Sequence, residues 1–199
     1  MMQRSSSRLI GALCVLVPLA GCISLAGKPP ASLLTLSADA QPASGQTTSS
    51  ATSPTITILV PVAPAAIATS RVPVQTSGTS ISYIKGAVWS EPPARLFARL
   101  LSDTIAARTG RVVLGSAQAL GDPGARLAGE LRSFGIDEAR RTAVVVYEAS
   151  LRRGEDRVYE KRRFEAVERV DQIDAASAAQ ALNRAANRIA ADVADWVGK

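Results

Sequence analysis

The chain has 199 residues, with 23 Lys and Arg against 17 Asp and Glu, a formal charge of +6, and no histidine. Without histidine there is no Ser-His-Asp triad, no Cys-His pair and no imidazole-ligated metal. The acids are scattered, with no calcium loop of the D-x-D-x-D-G type, and no G-x-G-x-x-G or G-x-x-x-x-G-K-S/T run supports nucleotide binding, so neither an enzyme nor a cofactor site is expected.

The first element in chain order is a targeting segment. Met1 to Arg8 is polar and carries Arg4 and Arg8, and Leu9 to Leu19 follows without a charge. A positive stretch, a short apolar run and small residues describe a signal peptide over residues 1–21. The run is too short to span a bilayer, which takes about 20 apolar residues. Leu19-Ala20-Gly21-Cys22 resembles the bacterial lipobox. That resemblance implies cleavage before Cys22, two acyl chains on its thiol and commonly a third on its new amine. One chain binds a membrane marginally, whereas two or more hold stably at about 0.8 kcal/mol per buried CH₂. Ile23 stands where an Asp would signal retention in the inner membrane of enteric bacteria, so the expected address is the periplasmic face of the outer membrane.

Processing simplifies the chemistry further. Cys14 leaves with the signal peptide and Cys22 is consumed by lipid, so no thiol remains for a disulfide or a thiolate metal site. Loss of Arg4 and Arg8 takes the 23 basic residues to 21 against 17 acids, a formal +4. An exported lipoprotein meets little nucleic acid, and anionic lipid head groups are its natural negative partner.

Residues 22–54 read as a lipidated N-terminus and tether. Ser37 to Pro54 is rich in Ser, Thr and Ala and nearly uncharged, too polar to offset the entropy of ordering. A tether of that length has an r.m.s. reach of about 30 Å. Leu33 to Leu36, "LLTL", interrupts it and is apolar enough to dock on the domain as an edge strand.

Residues 55–199 suit a single domain. Thr55 to Val62 is β-branched and reads as a strand, and Thr79 to Trp89 as a second. Leu96, Phe97, Leu100, Leu101 and Ile105 then recur at helical spacing, with Ser90 as candidate N-cap before Pro92-Pro93 and Gly110 as the stop. Arg111 to Leu114 is a short strand. Three longer strands follow at Ala125–Ile136, Thr142–Leu151 and Arg157–Val167, the last two joined by the turn "RRGED". In the middle one Ala143, Val145, Tyr147, Ala149 and Leu151 share a face, while Val144 and Val146 suggest that helices cover the other. An Ala-rich helix from Ala175 to Val197, capped by Asp174, carries the stripe Leu182, Ala186, Ile189, Val193 and Trp196. The order β-β-α-β-β-β-β-α predicts an α+β two-layer sandwich, a largely antiparallel sheet with two helices on one face.

The ordered set of these features resembles the ABC-type transport auxiliary lipoproteins of the paraquat-inducible lipoprotein C type. It comprises the lipobox, the early "LLTL", "ITILVPV" with a long loop behind it, Tyr83-x5-Trp89-x-Glu91, the helix that follows, Leu127-x-Gly129-x-Leu131-x-x-Phe134, and the terminal helix. The family often has tyrosine where this chain has Leu33 or Leu34. The resemblance implies a non-catalytic outer-membrane subunit of a lipid transporter with mammalian-cell-entry (Mce) domains, powered by an ATPase in another subunit. Its expected partners are the outer membrane, the Mce-domain subunit, phospholipid and further copies of the same chain.

Two other functional classes compete with this one. A lipoprotein assisting assembly of another outer-membrane secretion or envelope complex would carry the same anchor. A carboxylate-only glycosidase would need two acids about 5–9 Å apart across a cleft, and no spacing suggests one. The rigid corner from Tyr83 through Trp89 to Glu91 is the candidate partner contact, because Trp and Tyr dominate interface hot spots; packing at a sheet–helix junction is the alternative role for Trp89 and Tyr83. In the hairpin Arg152–Arg163, the residues Arg157, Tyr159, Lys161, Arg163 and Glu165 share a face that reads as solvated rather than as a head-group site.

Overall fold

The computed structural model describes residues 32–115, 117–121, 124–154 and 158–199. The signal peptide, Cys22, and the turn residues Glu155, Asp156 and Arg157 lie outside the described residues. Seven strands and two helices follow in the order β1 Thr55–Ile58, β2 Arg71–Ser77, β3 Ser80–Val88, α1 Pro93–Thr109, β4 Val112–Leu114, β5 Ala125–Asp137, β6 Thr142–Arg152, β7 Tyr159–Arg169 and α2 Ala175–Val197.

The spine of the sheet is β5. Along one edge it pairs antiparallel with β6, which pairs antiparallel with β7. Its other edge is shared end to end: β1 runs parallel to it at Ala125–Leu127 and β2 at Ile136–Asp137. Outside these, β4 extends β1 in parallel and β3 extends β2 antiparallel. The sheet is therefore mixed and mostly parallel along β3-β2-β5-β1-β4, which corrects the expectation of a largely antiparallel sheet. The expected strand order also lacked β2. That strand contains Pro73, which cannot donate to a ladder. Room for it comes from Gly135, where a Cβ would lie 2.7 Å from the Pro73 carbonyl oxygen and 2.8 Å from its ring.

Both helices cover one face. Phe97 of α1 meets Tyr147 of β6 edge-on at 5.3 Å, and Trp196 of α2 tilts against Phe164 of β7 at 5.7 Å. Tyr147 and Phe164 are themselves directly paired across the sheet. Val144 and Val146 point the other way, to a face that neither helix covers, contrary to the expected second cover. Burial on the helix side alternates along β6 and β7, with Ala143, Val145, Tyr147, Ala149, Leu151, Phe164 and Ala166 all buried.

Local chemistry sets the helix ends. Asp174 accepts the Ser177 amide at 2.8 Å and caps α2, as expected. Gly110 ends α1 at φ 67°, a left-handed geometry that glycine adopts without strain. The N-cap of α1 is Pro92, with no side-chain bond, rather than Ser90. Pro93 then occupies the first turn, where its missing N–H has no intrahelical partner to lose. Ala178, Ala181, Ala185, Ala190 and Ala194 are fully buried, and their small side chains bring α2 close to its neighbours. No described helix is long and apolar enough to cross a membrane.

The spacing Leu127-x-Gly129-x-Leu131-x-x-Phe134 now has a physical cause. Its first half has strand period, and a register shift between Leu131 and Ser133 lengthens the last step. The bulge returns Phe134 to the helix side, where it is buried. At Gly129 a Cβ would lie 2.6 Å from the Tyr147 ring and 2.4 Å from the Glu148 carbonyl oxygen, so glycine leaves the space that the ring fills. The Tyr147 hydroxyl donates to the Ala128 carbonyl at 3.1 Å, and burial pushes its pKa well above the usual tyrosine range.

Candidate functional site

The corner between β3 and α1 is built on Trp89. The residue is 1% exposed and packs edge-on against Phe134 at 5.6 Å. Its backbone N–H donates to the Ser70 carbonyl at 2.7 Å. Its indole Nε1 is buried without a hydrogen-bond partner. The side chain therefore sits in the core.

Tyr83 lies in the middle of β3. Trp89 lies six positions further on, nominally about 20 Å away along a regular strand. The ladder is also interrupted between them, because Arg71 opposes Val88 while Pro73 opposes Tyr83. Gly86, at φ 75°, lies within this irregular stretch. Tyr83 is half-buried, donates its hydroxyl to the Ala66 carbonyl at 3.4 Å and carries the Arg71 guanidinium 3.9 Å over its ring. Glu91 is half-buried just ahead of α1 and pairs with Arg99, two turns along the helix. The structure thus distributes Tyr83, Trp89 and Glu91 along the β3–α1 edge rather than gathering them into one cluster.

A strap covers the corner. Leu34 donates its N–H to the Val88 carbonyl at 2.8 Å and accepts the Ser90 N–H at 2.8 Å, forming a parallel bridge beside Trp89. Beyond it, the Ser37 N–H donates to Asn183 Oδ1 at 2.9 Å and the Asp39 N–H to Asn187 Oδ1 at 2.8 Å. Asn187 Nδ2 returns a bond to the Ser37 carbonyl at 2.8 Å and another to the Asn183 carbonyl at 3.0 Å. Leu34 thus docks along β3, as expected of the "LLTL" run, whereas Ser37 to Asp39, read as tether, are fastened to α2. These two asparagines were missed in the sequence. Their signal is the i, i+4 repeat of Asn183 and Asn187 along a helix whose neighbouring positions are mostly alanine.

On the uncovered face, charges cross the strands. Arg132 bonds Glu130 at 2.9 Å and lies 3.8 Å from Glu148, while Arg163 reaches Glu148 at 3.3 Å and Glu165 at 2.8 Å. The hydrogen bond to Glu165 raises the Arg163 pKa. Exposed pairs of this kind add little to stability, which agrees with a solvated face. Beside this network, a groove of about 280 Å³ runs between Pro64, Pro73, Ile81, Arg132, Asp137 and Val144. No group of side chains able to hold a metal occurs among the described residues.

Two crystal structures share this architecture. One, of a Xanthomonas campestris protein, superposes with a TM-score of 0.67 at 17% identity, covering 83% of this chain and 94% of its own. The other, described as an uncharacterized protein, gives a TM-score of 0.64 at 18% identity over 82% of this chain and 99% of its own. At such identities the likeness concerns the fold. No curated protein matches the sequence. The family model for the ABC-type transport auxiliary lipoprotein component matches residues 34–194, from the strap to the last turn of α2. The chain belongs to the ABC-type transport auxiliary lipoprotein family.

Proposed function

We propose that the protein is a non-catalytic lipoprotein subunit of an Mce-type ABC lipid transport system, anchored through Cys22 at the periplasmic face of the outer membrane, where it docks the transporter. The match of the transport-auxiliary family over residues 34–194 carries this reading. The strap is consistent with it. Leu34 is twelve positions from Cys22, so even a fully extended chain places the fastened corner within about 40 Å of the anchor. The β3–α1 edge with Tyr83 and Glu91 would then face whatever approaches the membrane, while Trp89 stiffens it from inside.

The experiment is affinity purification of the tagged full chain from its native membranes, with mass spectrometry of the retained proteins. An Mce-domain protein together with a permease and an ATPase is the expected set. Recovery of components of another envelope assembly, without any Mce-domain protein, would replace the lipid-transport reading with the assembly-factor one.

A further inference from the structure

We propose that Arg126 and Arg152 form a binding site for a phosphate ester, and that its source is a phospholipid head group. The two arginines stand directly opposite each other where β5 and β6 pair, on the face the helices leave open. Like charges placed so, with Cβ atoms about 4.5–5.5 Å apart, destabilise a sheet. Neither side chain has a hydrogen bond, ion pair or ring contact among the described residues. Other arginines of that face behave differently, as Arg132 and Arg163 are each held by carboxylates. Arg152 Nε is buried with no hydrogen-bond partner among the described residues. A buried guanidinium donor left unsatisfied beside a second guanidinium calls for an anion that lies between them.

The space for one exists. Arg126 and Arg152 line a cleft of about 130 Å³ together with Thr57, Leu59 and Leu120. That is room for a tetrahedral anion but not for a drug-sized ligand. The surrounding field has the right sign. Arg153 and Arg111 lie at the same end of the sheet, and burial together with Arg153 lowers the Arg111 pKa. Arg111 donates to the Val197 carbonyl of α2 at 3.4 Å, and Arg153 to the Val197 and Trp196 carbonyls at 3.2 and 3.1 Å and to Glu160 at 2.7 Å. Glu160 balances the charge of Arg153, so Arg111 is the one that adds positive potential without occupying the cleft.

Exposed apolar side chains indicate what the phosphate is attached to. Leu120, on the cleft wall, is 91% exposed, and Tyr159, paired with Arg152 on its other side, is 61% exposed. Val158 next to it is 69% exposed. A basic pair bracketed by protruding apolar groups matches a phosphodiester that carries hydrocarbon. The choice of a lipid as its source rests on the lipid-transport reading; the anion site itself does not.

The test uses the full chain purified in a nonionic detergent, as wild type, Arg126→Gln, Arg152→Gln and the double variant. Calorimetric titration with glycerophosphoglycerol and with inorganic phosphate reads the anion site, and phosphorus analysis of the purified protein reads retained phospholipid. Either single variant is expected to weaken glycerophosphoglycerol about tenfold or more, and the double variant to lose the phospholipid that the wild type keeps. Relief of like-charge repulsion leaves Arg126→Gln melting no lower than wild type without ligand, which separates lost binding from lost folding. Soluble phosphates that bind through the arginines, with no phospholipid retained by the wild type, would overturn the lipid source while supporting the anion site. Binding that is absent, or unchanged in both single variants, would overturn the site. Transporter subunits in the same preparations are scored separately, so an intact complex without phosphate binding counts against the site alone.

Discussion

Replacing Trp89 separates its two candidate roles. The side chain is 1% exposed, meets Phe134 edge-on and is bracketed by the Leu34 bridge. Truncation to alanine removes a large buried aromatic, at a cost of about 3–5 kcal/mol. For a domain of this size each kcal/mol lowers the melting temperature by about 2–4 °C, so Trp89→Ala is expected to melt some 6–20 °C below wild type. Phenylalanine should behave otherwise. It keeps an edge-on ring against Phe134 and removes the orphaned Nε1 donor, whose burial costs about 1–3 kcal/mol. Against that stands a cavity penalty of roughly 1–2 kcal/mol for the smaller ring. Trp89→Phe should therefore stay within about 1 kcal/mol of wild type. Thermal unfolding followed by circular dichroism on the full chain, with transporter pull-down beside it, decides the matter. A Trp89→Ala protein that melts normally yet no longer retains its partner would refute the core assignment and make Trp89 a docking anchor; a Trp89→Phe protein as unstable as the alanine variant would refute the energetic reasoning.

Asn187→Ala removes the bonds to Asp39, Ser37 and Asn183, and is expected to cost about 1–3 kcal/mol while raising hydrogen exchange at the amides of Ser37 and Asp39; unchanged exchange there would mean that the strap is held by something else. Burial raises the Tyr147 pKa, so its contribution to stability is complete below the ordinary value of 10 and declines as pH rises above it, by about 1.4 kcal/mol per pH unit. Denaturant titrations above pH 10 should therefore show a shallower decline for Tyr147→Phe than for wild type, after a loss of about 1 kcal/mol at neutral pH from the missing bond to Ala128. Cys22→Ala should abolish palmitate labelling and membrane fractionation, while the domain unfolds at the wild-type temperature; label kept on the variant would end the lipoprotein reading.

Local signals in the sequence located both helices and six of the seven strands. Period alone placed Leu182, Ile189 and Val193 on the buried stripe of α2, and a single carboxylate, Asp174, marked where that helix starts. Composition excluded histidine chemistry without any structure, because a residue type that is absent has no geometry to consider. Tertiary contacts decided the rest. β2 carries Pro73, which cannot donate to a ladder, and Gly135, distant in sequence, leaves the space that its ring takes up. Strand direction escaped the sequence because β1 and β2 share one edge of β5, an arrangement fixed by which strands meet and not by the period of any one. Ser37 to Asp39 look unstructured on composition and are held by Asn183 and Asn187, whose partners lie about 150 residues earlier in the chain. Arg126 and Arg152 stand 26 positions apart, unremarkable in the sequence and face to face in the sheet. Periodicity records which face of an element is buried, whereas the pairing of elements is a property of the packed whole, and only that pairing brings two like charges to one cleft.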